Sequence, residues 1–349
     1  MRLGKLWNSH SSNVIRIAVA SLISACCLQT ASAGEADAAA DPDAAARSNW
    51  RSTIEESTPS AVGCFQASYP DIVWKSVECK EAHPRFHPVF SKPVTGGEEV
   101  TGNGHDYVAK AVGLISKTLG TFPSVTGVTH EKSVGVAAFG GGGILGPNEY
   151  TLQVNTNFTG TTSACAGHSG CTVWQQFIYS PDYNTKGEAA VFMQYWLIGW
   201  GTSACPSTWG SDGGADCYKN SAFVAAPDLK ITTLGNQTIS GAAVAGGNDT
   251  VVFNNGSTAY SVTGSDSVVD ISAVWQESEF NVVGNAGGSR AVFNKGSSVT
   301  VNVALTDGSA SAPACVKNAG STGETNNLNL GICSKAGGTS PSIKFTESF

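Results

Sequence analysis

From about Ser133 onward, apolar and polar residues alternate with a period of two, the pattern of strands whose side chains point to opposite faces. In YTLQVNTNF, Tyr150, Leu152, Val154 and Phe158 share one face, and Gln153, Asn155 and Asn157 share the other. In TVWQQFIY, Trp174, Gln176 and Ile178 oppose Gln175, Phe177 and Tyr179. In VFMQYWLIGW, Phe192, Gln194, Trp196, Ile198 and Trp200 oppose Met193, Tyr195 and Leu197. The runs LKITTL, DTVVFNN, AYSVTG, SVVDISAVWQESEFNVVG, RAVFN and SVTVNVAL follow at short spacings, with Gly, Asn and Asp turns between them. Many short strands so spaced predict an all-β sandwich or barrel. One segment, HDYVAKAVGLISKTLGTF, predicts a helix over residues 105–122.

Composition agrees with that picture. Only 13% of the 349 residues are charged and 41 are Gly, as in extracellular β proteins rich in turns. The formal charge of −7 and the absence of a basic patch argue against nucleic acid or an anionic membrane surface as partner. At the N-terminus, Arg2, Lys5 and Arg16 precede or open an apolar run that ends in Ala31-Ser32-Ala33, so residues 1–33 read as a secretory signal peptide. Its removal takes the charge to −10. An alternative is a lipoprotein box at Ile23-Ser24-Ala25-Cys26, which would anchor the chain to a membrane through Cys26. Residues 34–60 are acidic and Ala-rich without an apolar period, which predicts a disordered linker or a propeptide. Residues 61–104 form an N-terminal, disulfide-containing extension, and 105–349 the sandwich.

Eight cysteines remain after cleavage, an even number in an exported chain and therefore a disulfide framework. They fall into four close pairs: Cys64 with Cys79, Cys165 with Cys171, Cys205 with Cys217, and Cys315 with Cys333. No paired C-x-x-C spacing supports zinc, and Pro84 and Pro88 break any helix that would bring His83 and His87 together. Asp212 and Asp216 in GSDGGAD suit a turn as well as a calcium loop. No metal and no cofactor is expected. No P-loop, G-x-S-x-G or H-E-x-x-H occurs, which removes the usual support for nucleotide, serine-hydrolase and zincin readings.

The adjacent amides Gln175 and Gln176 raise a sharper question, because one of two neighbours on a central strand must point inward. The stretch CTVWQQFIYSPDYNTKGEAAVFMQYWLIGW resembles the strand pair of glutamic peptidases of the eqolisin and neprosin type. DCYKNSAFV (216–224) and SAVWQESEFNVVG (272–284) are similar to later strands of that family, so the likeness spans about residues 146–306. It implies a concanavalin-like sandwich of two antiparallel sheets and an acid-pH endopeptidase working on extracellular polypeptide. It also implies Gln175 as the amide that holds the oxyanion; the family's catalytic carboxylate falls at Val283 or, with the match shifted to Trp275, at Ser278, which leaves Glu279 or Glu277 on neighbouring positions to stand in as the general base. A carboxylate that takes a proton and an uncharged donor that stabilises developing charge suit amide hydrolysis. Trp174, Gln176, Gln194 and Trp196 are then the candidate substrate-binding residues.

Two other readings use the same residues. Glu277 and Glu279 share a strand face about 6.6 Å apart at roughly 3.3 Å per residue, a separation suited to acid/base hydrolysis of a polysaccharide. Without catalysis, Trp174, Trp196 and Trp200 with the amide row would form a module that binds carbohydrate or peptide.

Overall fold

The computed structural model describes residues 42–83, 106–137, 140–317 and 324–349. The signal-peptide segment, Cys26 and His87 lie outside them. Among the described residues, the strands form two large sheets and a small one of four strands. The larger sheet, here the back sheet, runs in the order Lys75–Val77, Gly63–Ser68, Thr258–Ser265, Asn248–Asn254, Thr238–Ala243, Lys117–Thr126, Ser298–Thr306, Ser342–Ser348 and Asn329–Leu330. The front sheet runs Gly210–Ser211, Cys217–Asn220, Glu188–Ile198, Thr172–Thr185, Tyr150–Thr156, Glu277–Gly284, Tyr107–Lys110 and Ala314–Lys317. All pairings within both are antiparallel, and the two sheets pack as a sandwich. The all-β expectation therefore holds.

Between the sheets lie Leu152, Val154, Phe177, Tyr179, Met193, Phe280 and Val282 from the front, and Ile239, Val251, Phe253, Val301 and Phe345 from the back. The rings need facing gaps. A Cβ on Gly241 would come within 2.2 Å of the Phe177 ring, and one on Gly120 within 2.3 Å of Phe280. These two glycines let the sheets close on large aromatic residues. Gly241→Ala is expected to lose about 1–3 kcal/mol by overpacking, and Phe177→Leu in the same chain should recover part of it. Additive destabilisation in a denaturant titration would refute the contact.

All four sequential disulfides form: Cys64–Cys79, Cys165–Cys171, Cys205–Cys217 and Cys315–Cys333. No helix among the described residues is long and apolar enough to cross a membrane.

Several expectations need correction. Residues 106–122 are not helical: Tyr107–Lys110 and Lys117–Thr126 are strands, one in each sheet, joined by a short bend. Pairing with neighbours on both sides overrides the local period. LKITTL opens a 3-10 helix at Ile231–Asn236, and only Glu277–Gly284 of the long SVVDISAVWQESEFNVVG run is strand. The 34–60 segment is not all disordered linker. Pro42–Glu56 is an α-helix, with Pro42 at its first position and Asp43 in its first turn, both favourable there. Trp50 and Ile54, one turn apart, bury against Ala67, Val252 and Ala259 on the outer face of the back sheet. Buried Glu55 accepts from Thr238 Oγ1 at 2.7 Å and Ser240 Oγ at 2.9 Å. Gly63–Ser68 pairs with Thr258–Ser265, so the sandwich begins before the 61–104 extension ends.

Candidate functional site

Face assignment follows from the glycine contacts. Phe177 and Phe280 point at the back sheet, so Gln176 and Glu279, one residue away on their strands, point outward. The registers align five polar residues across five strands. Asn220 pairs with Gln194, Gln194 with Gln176, Gln176 with Asn155, and Asn155 with Glu279. Gln153 and Asn281, mutual partners, flank this row on one side, and Glu277 opposite Lys110 flanks it on the other.

The row is hydrogen-bonded along its length. Trp196 Nε1 donates to Gln176 Oε1 and to Gln194 Oε1, both at 3.1 Å. Gln176 Nε2 donates to Gln153 Oε1 at 2.9 Å, and Gln153 Nε2 to Glu324 Oε2 at 2.7 Å. Gln194 Nε2 donates to Asn220 Oδ1 at 2.5 Å. Asn155 Nδ2 donates to Glu279 Oε2. Beside the row, Trp174, Trp196, Tyr218 and Phe158 form one aromatic cluster, with Trp174 and Trp196 ring centres 5.9 Å apart. Although this is an outer face, Gln176 is 0% and Glu279 2% exposed, so both are sealed from water.

Burial holds the Glu279 carboxyl well above the usual carboxylate range, and the Asp106 carboxyl, close to it and hydrogen-bonded to it, pushes the same way. Like charges at that distance resist being ionised together, which favours the protonated form of Glu279. Sequence reasoning missed Asp106 because it fell in the segment read as helix. Glu277 is different: its carboxylate pairs with Lys110 Nζ at 3.0 Å.

Gln175, the expected oxyanion donor, is not with Glu279. It points between the sheets, its Nε2 3.7 Å from Met193 Sδ, and interacts there with buried Asp249. The physical reason is strand parity: neighbours on a strand face opposite ways, and Phe177 fixes which way. Gln176 takes the place expected of Gln175. Gln175→Ala is thus expected to cost about 1–3 kcal/mol through the partner it orphans, and to leave any activity per folded molecule unchanged. A lost activity at normal melting temperature would put Gln175 back in the site.

The other candidates divide. Trp174, Gln176, Gln194 and Trp196 share the Glu279 face. Trp200 lies past the end of its strand and stacks on His168. Asp212 and Asp216 spend their carboxylates on local backbone: Asp212 Oδ1 accepts from Gly214 N at 2.8 Å, and Asp216 Oδ1 from Gly199 N at 2.6 Å. Among the described residues no three His, Cys, Asp or Glu side chains are grouped to hold a metal ion.

At the Asn220 end the chain itself runs over this sheet. Lys80 makes a two-way backbone bridge with Phe223, and Ala82 packs on the cluster of Ile178, Tyr183, Phe192 and Phe223. The carbonyl of His83 accepts from Asn220 Nδ2 at 2.9 Å and from Tyr183 Oη at 3.3 Å.

Compared with known proteins, the chain matches no family model, no curated sequence and no solved structure.

Proposed function

We propose that the protein is a secreted peptidase of the glutamic type on a concanavalin-like sandwich, with Gln176 and Glu279 as its working pair. The observation that carries this reading is the shared row: an amide donor and a buried carboxyl on one face, two strands apart, with Asn155 bridging toward Glu279. In the reaction, the Asp106–Glu279 pair takes a proton from water as the water oxygen attacks the scissile carbonyl carbon. Gln176 Nε2–H holds the oxyanion, and the pair returns the proton to the amine nitrogen as the C–N bond breaks. Proton transfer contributes typically 10²–10⁴-fold, and an oxyanion donor about 10²–10³.

Peptide rather than sugar is favoured by the Asn220 end of the row. There an amide N–H already holds a peptide carbonyl, that of His83, beside a backbone bridge. Extended peptides bind sheets through such main-chain bonds. The competing polysaccharide mechanism needs Glu277 as second carboxylate, and Lys110 occupies it.

A peptide reaches Gln176 and Glu279 only once this face is uncovered. The mature chain should therefore be assayed as isolated and after acid incubation, against a denatured protein across pH 2 to 8, with new termini read by mass spectrometry. Cleavage that disappears in Gln176→Ala is expected. No new termini under either treatment, or cleavage undiminished in Gln176→Ala, would sink the reading.

A further inference from the structure

We infer that Trp196 is a positioning residue: its single indole N–H fixes the orientation of the amide row so that N–H groups face the carbonyl oxygens of a bound peptide. This rests on the peptidase reading above and names how that site recognises its substrate.

The argument is one of donors and acceptors. An amide can be turned end for end with little change in shape, so its neighbours decide which end is which. An indole N–H only donates, and an ionised carboxylate only accepts. Trp196 Nε1 sits 3.1 Å from an oxygen of both Gln176 and Gln194, and so compels both to present their carbonyls to it. On one side, Gln176 must then turn its NH2 away; one N–H goes to Gln153 Oε1 at 2.9 Å, whose own NH2 ends on Glu324 Oε2 at 2.7 Å. A flipped Gln176 would set N–H against N–H at the indole and oxygen against oxygen at Gln153. The second N–H of Gln176 Nε2 is the group left for a substrate oxyanion.

On the other side, Gln194 gives its NH2 to Asn220 Oδ1 at 2.5 Å, which turns the Asn220 Nδ2 outward. That nitrogen donates to the His83 carbonyl at 2.9 Å. One indole thus polarises two arms, and each arm ends in an N–H aimed where a peptide carbonyl lies or would lie. Trp196 is 0% exposed and reaches the proposed reacting atoms through Gln176.

Trp196→Phe keeps a ring in the aromatic cluster and removes the N–H. Its cleavage is expected to show kcat about 10-fold or more lower with KM changed less than about 3-fold, since loss of a defined donor orientation acts on the charged transition state. The side-chain amide signals of Gln176 and Gln194 in a ¹⁵N spectrum should shift or broaden as both amides lose their fixed orientation. Trp50→Phe is the control. It deletes an indole N–H that donates to Asp71 O at 2.8 Å on the far side of the back sheet, and should leave kcat and both amide signals unchanged. Unchanged kcat in Trp196→Phe, or unmoved Gln176 and Gln194 signals, would overturn the inference. So would a fall explained wholly by lost folded protein or by KM. If Glu279→Gln cleaves as well as the parent chain, the peptidase reading fails on its own account, and the amide spectrum still decides whether Trp196 orients the row.

Discussion

Glu279→Gln is expected to reduce peptide cleavage by about 10² or more, while the melting temperature stays level or rises. The substitution keeps shape and one acceptor oxygen, so the Asn155 Nδ2 contact has a partner in the variant. What goes is the proton that the pair with Asp106 must take and return. Stability moves the other way because the native carboxyl is buried beside Asp106 and feels Glu324 as well, all of the same sign. An uncharged amide relieves that repulsion. Glu277→Gln provides the discriminating arm. On the peptidase reading it removes only an ion pair with half-exposed Lys110 and leaves cleavage within about 2-fold, because such pairs contribute about 0–1 kcal/mol. A polysaccharide hydrolase with two working carboxylates would lose activity in both variants. Full activity in Glu279→Gln would remove Glu279 from any mechanism.

How much of this could be read from the chain depends on how much each residue's surroundings are local. Alternation identified the strands around Leu152, Phe177, Met193 and Val301 and put Trp174 on one face with Gln176, and Gln194 on one face with Trp196; that the two pairs lie side by side comes from the register. It did not say which face looks inward, because Val173 to Pro181 is buried without a break and both faces carry aromatic rings. That choice comes from Gly241 and Gly120, 64 and 160 residues in sequence from Phe177 and Phe280, the rings they admit. The same distance in sequence hid Asp106, which meets Glu279 only through strand pairing. The helix at Pro42–Glu56 was different: Trp50 and Ile54 are spaced as one helical face, but two apolar residues in an Ala- and Asp-rich stretch give a weak period. Docking on Val252 supplies what the local signal lacks. The cysteines were fully legible, since each pair closes a short loop between 6 and 18 residues long.

The protein is expected to be most stable near pH 4 and to lose stability steadily as the pH rises to about 8. Two buried carboxyls, a half-buried one and the more exposed Asp228 set that window. Burial raises Glu131 to about 8 and Asp249 to about 8, the latter with Asp266 beside it. Burial, with Asp182 adding to it, raises Glu149 to about 7 and Asp228 to about 6. Glu55, Glu279 and Glu347 are pushed the same way by burial. In the unfolded chain these groups titrate near 4. Between 4 and 8 the folded state therefore binds more protons than the unfolded one, and rising pH favours unfolding. The contribution is fully present below the unfolded values and is gone once the pH passes the folded ones. Asp182 and Asp307 are shifted down and act in the opposite sense, but only below about pH 4. With Glu131 and Asp249 nearly inaccessible at 1% and 0% exposure, the sum is several kcal/mol in order of magnitude. For a chain of this size that corresponds to a melting temperature on the order of 10 °C lower at pH 8 than at pH 4. Calorimetry at constant ionic strength measures it directly, and Asp249→Asn should flatten the slope between pH 4 and 8. A melting temperature that is level or climbs across that range would mean that these carboxyls stay ionised inside the fold, and with it the upward shift of the Glu279 carboxyl would lose its physical basis.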